Sequence, residues 1–166
     1  MITEEVLKSL GVKVLYCEKL YCAGNKLRTL PELPVCEVLA CQGNRLTSIP
    51  NLPACRDLRC FNNQLESLPE LPVCKELHCY YNKLKTLPVL PVCEMLNCSE
   101  NQLESLPELP VCKYLVCWGN KLESLPDLPV CERLYCYNNQ LTKLPELPVC
   151  ETLSCWNNPG YPFKDE

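Results

Sequence analysis

The chain has 166 residues, 47% of them hydrophobic and 22% charged, with a net charge of −4, sixteen cysteines, sixteen prolines and only five glycines. No run of 18 apolar residues occurs, which argues against a membrane-spanning helix, and the acidic balance argues against a nucleic-acid or acidic-membrane partner. The length suits one elongated domain with a continuous core and leaves no room for a second globular one.

In chain order, residues 1–15 come first and differ from the rest. Thr3, Glu4 and Glu5 suit a helix start, Val6, Leu7 and Leu10 supply an apolar stripe, and Gly11 suits its stop, so a short helical cap is expected there. The start has no basic residues followed by an apolar run of signal-peptide length, so the expected location is the cytoplasm.

Residues 16–158 form eight repeats of nineteen residues. The cysteines fall on two combs, Cys17 to Cys150 and Cys22 to Cys155, five residues apart, and none lies off them. A fixed period of this length marks one supersecondary unit copied in tandem. Residues 74–92 read C-x-x-L-x-C-x-x-N-x-L-x-x-L-P-x-L-P-V. The L-x-C segment puts two apolar side chains on one face of a short strand, and such strands stack in parallel about 4.8 Å apart. One column of asparagines, Asn25 to Asn158, follows the strands and can satisfy backbone groups with inward amides. Two prolines per repeat then fix φ and remove donors, which predicts extended, polyproline-like return legs with little or no helix. Residues 159–166 form a short tail, leaving the strand around Leu153 open to homodimerisation through its edge.

The pattern resembles the leucine-rich repeat. The family's L-x-x-L-x-L-x-x-N-x-L maps onto Cys93, Leu96, Cys98, Asn101 and Leu103, with cysteine in two leucine positions. The L-P-x-L-P segment looks most like the short repeats of bacterial effectors and some giant-virus proteins. The resemblance implies a solenoid with parallel strands on its inner face and a role in recognition. It also admits a host cytoplasm as the place of action. In such effectors the repeats often adjoin a catalytic domain, commonly a ubiquitin ligase, for which these residues offer no counterpart, so only recognition carries over.

The cysteines are read as buried free thiols acting as small apolar residues. The two thiols of one repeat lie roughly 15 Å apart along extended chain, whereas a disulfide needs Cα atoms within about 7 Å. Bridges down a column would be strained, because parallel strands hold their Cβ vectors side by side. The spacing C-x-x-x-x-C with a single histidine, His78, is not that of a zinc site, and no cofactor is implied. A thiol-rich metal-binding or redox-sensing protein is nevertheless the main rival reading, and a self-assembling structural protein is another.

Function is sought on the variable outward positions. After the second cysteine they run Ala23, Gln42, Phe61, Tyr80, Ser99, Trp118, Tyr137 and Trp156, with Tyr21, Tyr81, Tyr114 and Tyr135 close by. Nine of the twelve aromatic residues thus lie on the strand face, where they either stabilise a ladder or form a recognition surface. They divide into two groups: Phe61, Tyr80 and Tyr81 with Arg59 and His78, and Tyr114, Trp118, Tyr135, Tyr137 and Trp156 with Arg133. The aromatics are expected to anchor a protein partner and Arg59, His78 and Arg133 to orient it. Charges on this face cancel, Lys19, Arg59 and Arg133 against Asp57, Glu76 and Glu100. No catalytic residue is expected, since no phosphate loop or nucleophile motif occurs, and Cys79 should point inward where His78 points out.

Overall fold

The structure, a computed structural model, describes residues 13–160. Each repeat contributes one strand of three residues: β1 (Lys19–Tyr21), β2 (Val38–Ala40), β3 (Asp57–Arg59), β4 (Glu76–His78), β5 (Met95–Asn97), β6 (Tyr114–Val116), β7 (Arg133–Tyr135) and β8 (Thr152–Ser154). They form a single parallel sheet in chain order, each strand pairing with the next. The register is the repeat itself: Leu58 faces Leu77 and Leu77 faces Leu96. The helix expected around Thr3–Gly11 lies outside the described residues. Residues 13–15 are not helical, and Val14 instead makes a parallel bridge to Glu32.

A turn just past the second cysteine sets the strand length. Two residues beyond that cysteine, the backbone of every repeat turns left-handed, at Gly24, Gly43, Asn62, Tyr81, Glu100, Gly119, Asn138 and Asn157. A positive φ cannot continue regular strand geometry, although bonds such as Asn62 N to Tyr80 O still join neighbouring repeats within the turn. The return legs contain no helix among the described residues. Each leg sends leucines into the core, such as Leu65 and Leu71 in one repeat and Leu84 and Leu90 in the next, all fully buried.

The asparagines join repeat to repeat. Asn101 Nδ2 donates to Cys79 O in the preceding repeat and to Cys98 O in its own, both at 3.1 Å, while its Oδ1 accepts from Leu84 N at 3.0 Å. Asn63, Asn82, Asn120, Asn139 and Asn158 repeat the arrangement. Carbonyls that a turning strand would leave buried and unpaired are satisfied in this way. At the first repeat the Asn25 amide donates, among the described residues, to Ala23 O alone, while Asn25 N donates to Asn44 Oδ1.

All sixteen cysteines are free thiols, and all but Cys17, Cys150 and Cys155 are buried. The first comb has a polar reason to be cysteine: Cys36, Cys74 and Cys93 donate from Sγ to the carbonyls of Val38, Glu76 and Met95 at 3.2 to 3.3 Å, which leucine cannot do. Burial, with neighbouring thiols adding to it, pushes Cys22 and Cys36 up to about 11. Desolvation likewise raises Cys55, Cys93, Cys112 and Cys136 to about 12. Burial, with neighbouring thiols adding to it, also raises Cys41, Cys79 and Cys117 well above the usual thiol range. Such thiols are protonated and poorly reactive at neutral pH. Iodoacetamide applied to the folded chain is therefore expected to label Cys17, Cys150 and Cys155 while sparing Cys60, Cys79, Cys98 and Cys117, as peptide mapping would reveal. Equal labelling of all positions would contradict a closed core.

Candidate functional site

Because side chains alternate along a strand, burying the central leucine turns its two neighbours outward. Down the sheet this makes two outward columns, the first containing Asp57, Glu76, Tyr114 and Arg133 and the second Arg59, His78, Asn97 and Tyr135. A third column comes directly after the second cysteine. Its rings are in mutual contact: Phe61 and Tyr80 stack with centroids 4.3 Å apart and planes 8° from parallel, and Trp118, Tyr137 and Trp156 stack at 5.2 and 4.5 Å. The in-register strands hold successive rings nearly parallel, so their faces meet each other and their edges meet solvent.

Tyr81 changes the expected division into two groups. Its ring lies edge-on to Tyr80 at 5.7 Å and edge-on to Trp118 at 6.4 Å. The six rings Phe61, Tyr80, Tyr81, Trp118, Tyr137 and Trp156 therefore form one continuous run, bridged over the gap at Ser99. Ser99 is buried beneath, its hydroxyl 2.8 Å from Asn97 Oδ1. Tyr114 and Tyr135 form a separate tilted pair at 5.9 Å.

The cations divide differently. Arg59 is engaged within its own strand, donating from Nε and Nη2 to the carboxylate of Asp57 at 3.1 and 2.8 Å. It neighbours His78 across β3 and β4. Burial, and then the Arg59 guanidinium, lower the pKa of His78, which favours neutral imidazole. Arg133 is exposed at the other margin, where it helps to line a groove of about 330 Å³ with Glu76, Met95 and Tyr114. Along that margin Glu94 lies 3.4 Å from both Lys75 and Lys113, which hold its carboxyl below the usual range. Exposed pairs of this kind add little stability and mainly fix the charge pattern.

Glu100 is not among the site residues expected from the sequence. It and Tyr81 are the members of the left-handed column that are neither glycine nor asparagine, with φ of 50° and 52°. A left-handed backbone at such a residue costs on the order of 1 kcal/mol. For Tyr81, ring contacts worth about 0.5–1.5 kcal/mol offset the strain. Glu100 makes no ring contact of its own, so Glu100→Gly is expected to raise the unfolding free energy by about 1 kcal/mol in urea denaturation. An unchanged or lower midpoint would show that the strain is absent. The signal is visible in the sequence as a glutamate in a column otherwise rich in glycine and asparagine.

An in-register parallel sheet closed by an asparagine ladder and extended return legs defines a leucine-rich repeat solenoid. The chain is a leucine-rich repeat protein, with repeats like those of bacterial effectors. Among solved structures it is similar to YopM, a leucine-rich effector protein from Yersinia pestis, at 32% identity over 93% of this chain and 51% of that one, with a TM-score of 0.76. A Shigella effector leucine-rich repeat domain is 34% identical over 78% of this chain and 62% of its own, with a TM-score of 0.72. YopM from Yersinia enterocolitica is 29% identical over 86% of this chain and 38% of its own, with a TM-score of 0.73. The chain thus spans about half the length of the first of these. No protein-family model matches it, and neither does any curated protein sequence.

Proposed function

We propose that the chain is a non-enzymatic scaffold that binds another protein through its inner strand face. The continuous run of six rings is the observation that carries this reading. Each ring is already held by its neighbours and by a rigid stack beneath, so binding orders little that was free. Aromatic side chains in such a setting are the usual energetic anchors of an interface. Ring edges, the Tyr80 and Tyr137 hydroxyls and the Trp118 indole N–H face the partner, which supplies carbonyl oxygens and apolar groups. The effector likeness supports a recognition role, and the free thiol core suits a reducing compartment such as a cytoplasm, that of a host cell included.

Immobilised chain is expected to retain a specific protein from a cell lysate. The Trp118→Ala, Tyr137→Ala double variant should bind that protein at least about tenfold more weakly, whereas Glu108→Ala on a return leg should not. Equal loss, or no loss, in both variants would move the interface away from this face. A second reading, self-association through β8, is favoured by Leu153, among the described residues the one strand leucine left substantially exposed, at 47%. A mass that stays monomeric at high concentration would reject it.

A further inference from the structure

The return legs re-enter the strands through one recurring turn, Leu-Pro-Val-Cys. In it the cysteine N–H donates to the leucine carbonyl, from Cys55 N to Leu52 O at 3.2 Å and from Cys93 N to Leu90 O at 3.4 Å. Proline in the second place has a structural reason, since its fixed φ starts such a turn. The third place has none, because turns favour polar residues or glycine, yet it holds valine in six copies and Ala54 in the seventh. Nor do these valines fill the core. Val35, Val92, Val111, Val130 and Val149 are 37% to 49% exposed, and the prolines before them, from Pro53 to Pro148, are exposed as well. An apolar ridge thus follows the stack where neither the turn nor the core requires one, and contiguous apolar surface of this kind marks an interaction site.

Charge and spacing identify the occupant. Three residues before the valine lies an exposed column with five acids, Glu32, Glu70, Glu108, Asp127 and Glu146, and in its other two copies Asn51 and Val89. Acids and ridge meet in one place, since Asp127 and Glu146 line a groove of about 320 Å³ with Leu128, Pro129 and Pro148. A second copy of the chain fits poorly. Two ridges facing each other antiparallel oppose acid to acid, and in parallel they oppose Asp127 to Glu132 and Glu146 to Glu151. A basic partner meets no such repulsion. Repeats step about 4.8 Å, so the six steps from Val35 to Val149 cover about 29 Å. An α-helix advances about 5.4 Å per turn, and about 20 residues reach the same length. An extended segment advances about 6.6 Å between side chains on one face and falls out of step sooner.

We propose that the Pro-Val ridge docks an amphipathic helix of a protein partner, its apolar stripe on the valines and its lysines or arginines along the acidic column. This surface is separate from the aromatic face and does not rest on the reading given for it.

The probe is a fluorescein-labelled helix of about 20 residues with a leucine stripe flanked by lysines, compared with the same helix carrying glutamates, added to the full chain. A saturable rise in anisotropy is expected with the lysine helix, and at least about tenfold weaker binding with the glutamate helix. The triple variant Val92→Ser, Val111→Ser, Val130→Ser should bind the lysine helix about tenfold more weakly, and serine suits the turn, so the chain remains folded. Glu108→Gln, Asp127→Asn, Glu146→Gln should weaken it about fivefold, whereas Glu66→Gln, Glu104→Gln, Glu123→Gln, the same change of net charge elsewhere on the return legs, should stay within about twofold. The Trp118→Ala, Tyr137→Ala double variant should bind the helix as the parent chain does. Full binding by the folded serine variant, equal loss in the two charge variants, loss in the aromatic double variant, or no binding at all would overturn the proposal. So would a dimer at high concentration that the serine variant abolishes, which would assign the ridge to a second copy.

Discussion

Raising the pH from 8 to 10 in a non-thiol reductant is expected to unfold the chain cooperatively. An exposed cysteine ionises near about 8.5, whereas burial holds Cys41, Cys60, Cys79, Cys98 and Cys117 protonated far above that. The folded pKa values are the higher ones, so the stabilising difference is intact below about pH 8 and is lost as the pH climbs toward them, where the unfolded chain releases protons that the folded chain retains. Each such thiol contributes about 0.8 kcal/mol of destabilisation at pH 9 and about 2 kcal/mol at pH 10. Five together reach on the order of 10 kcal/mol, comparable with the entire 5–15 kcal/mol stability of a typical domain. Urea unfolding at a series of pH values measures the slope. Replacing Cys79, Cys98 and Cys117 with alanine should reduce that slope by up to about 4 kcal/mol per pH unit, whatever the variant's starting stability. A flat profile through pH 10 would mean that the thiols ionise within the folded chain.

The second large effect is expected at Asn101. Alanine there removes the partner of Leu84 N and the donor to Cys79 O, Cys98 O and Ser99 O, leaving four backbone groups without their amide. At about 1–3 kcal/mol for each buried unpaired group, some of it recovered by water, a loss of roughly 3 kcal/mol is expected. Aspartate does not rescue it, because a carboxylate can accept from Leu84 N and cannot donate to carbonyls. Asn101 is in the middle of the stack and each repeat touches only its neighbours, so the transition should also broaden as the two halves uncouple. Asn25→Ala, which removes among the described residues one side-chain bond, to Ala23 O at the end of the stack, should cost less than about 1 kcal/mol. Similar losses at Asn25 and Asn101 would show that the amides do not couple the repeats.

The repeat makes the strand positions and the buried columns readable before any coordinates: L-x-C fixes which side chains turn inward, and the paired prolines exclude helical return legs. The site is readable as a composition and not as a connected object. Periodicity aligns Tyr80 with Ser99 and Trp118, which implies a break at Ser99. It does not reveal that a positive φ at Tyr81 swings that ring across the break to meet Trp118. For the same reason Glu100 counts in the sequence only as one charge among several, although the left-handed turn is what lays its carboxylate over Gly119. Arg59 is expected to meet a partner because spacing alone gives no weight to Asp57, two residues away on the same face of β3. What the period repeats is legible, and what a single repeat does differently depends on torsion angles.

The inner-face interface is tested most directly by photo-crosslinking. A photoreactive phenylalanine analogue replaces Tyr137 in one chain and Glu146, on the following return leg, in another, and each folded protein is irradiated with its captured partner. Crosslinks from position 137 and none from 146 are the expected result, whereas efficient crosslinking from 146 with none from 137 would place the partner on the opposite side and contradict binding through the aromatic face.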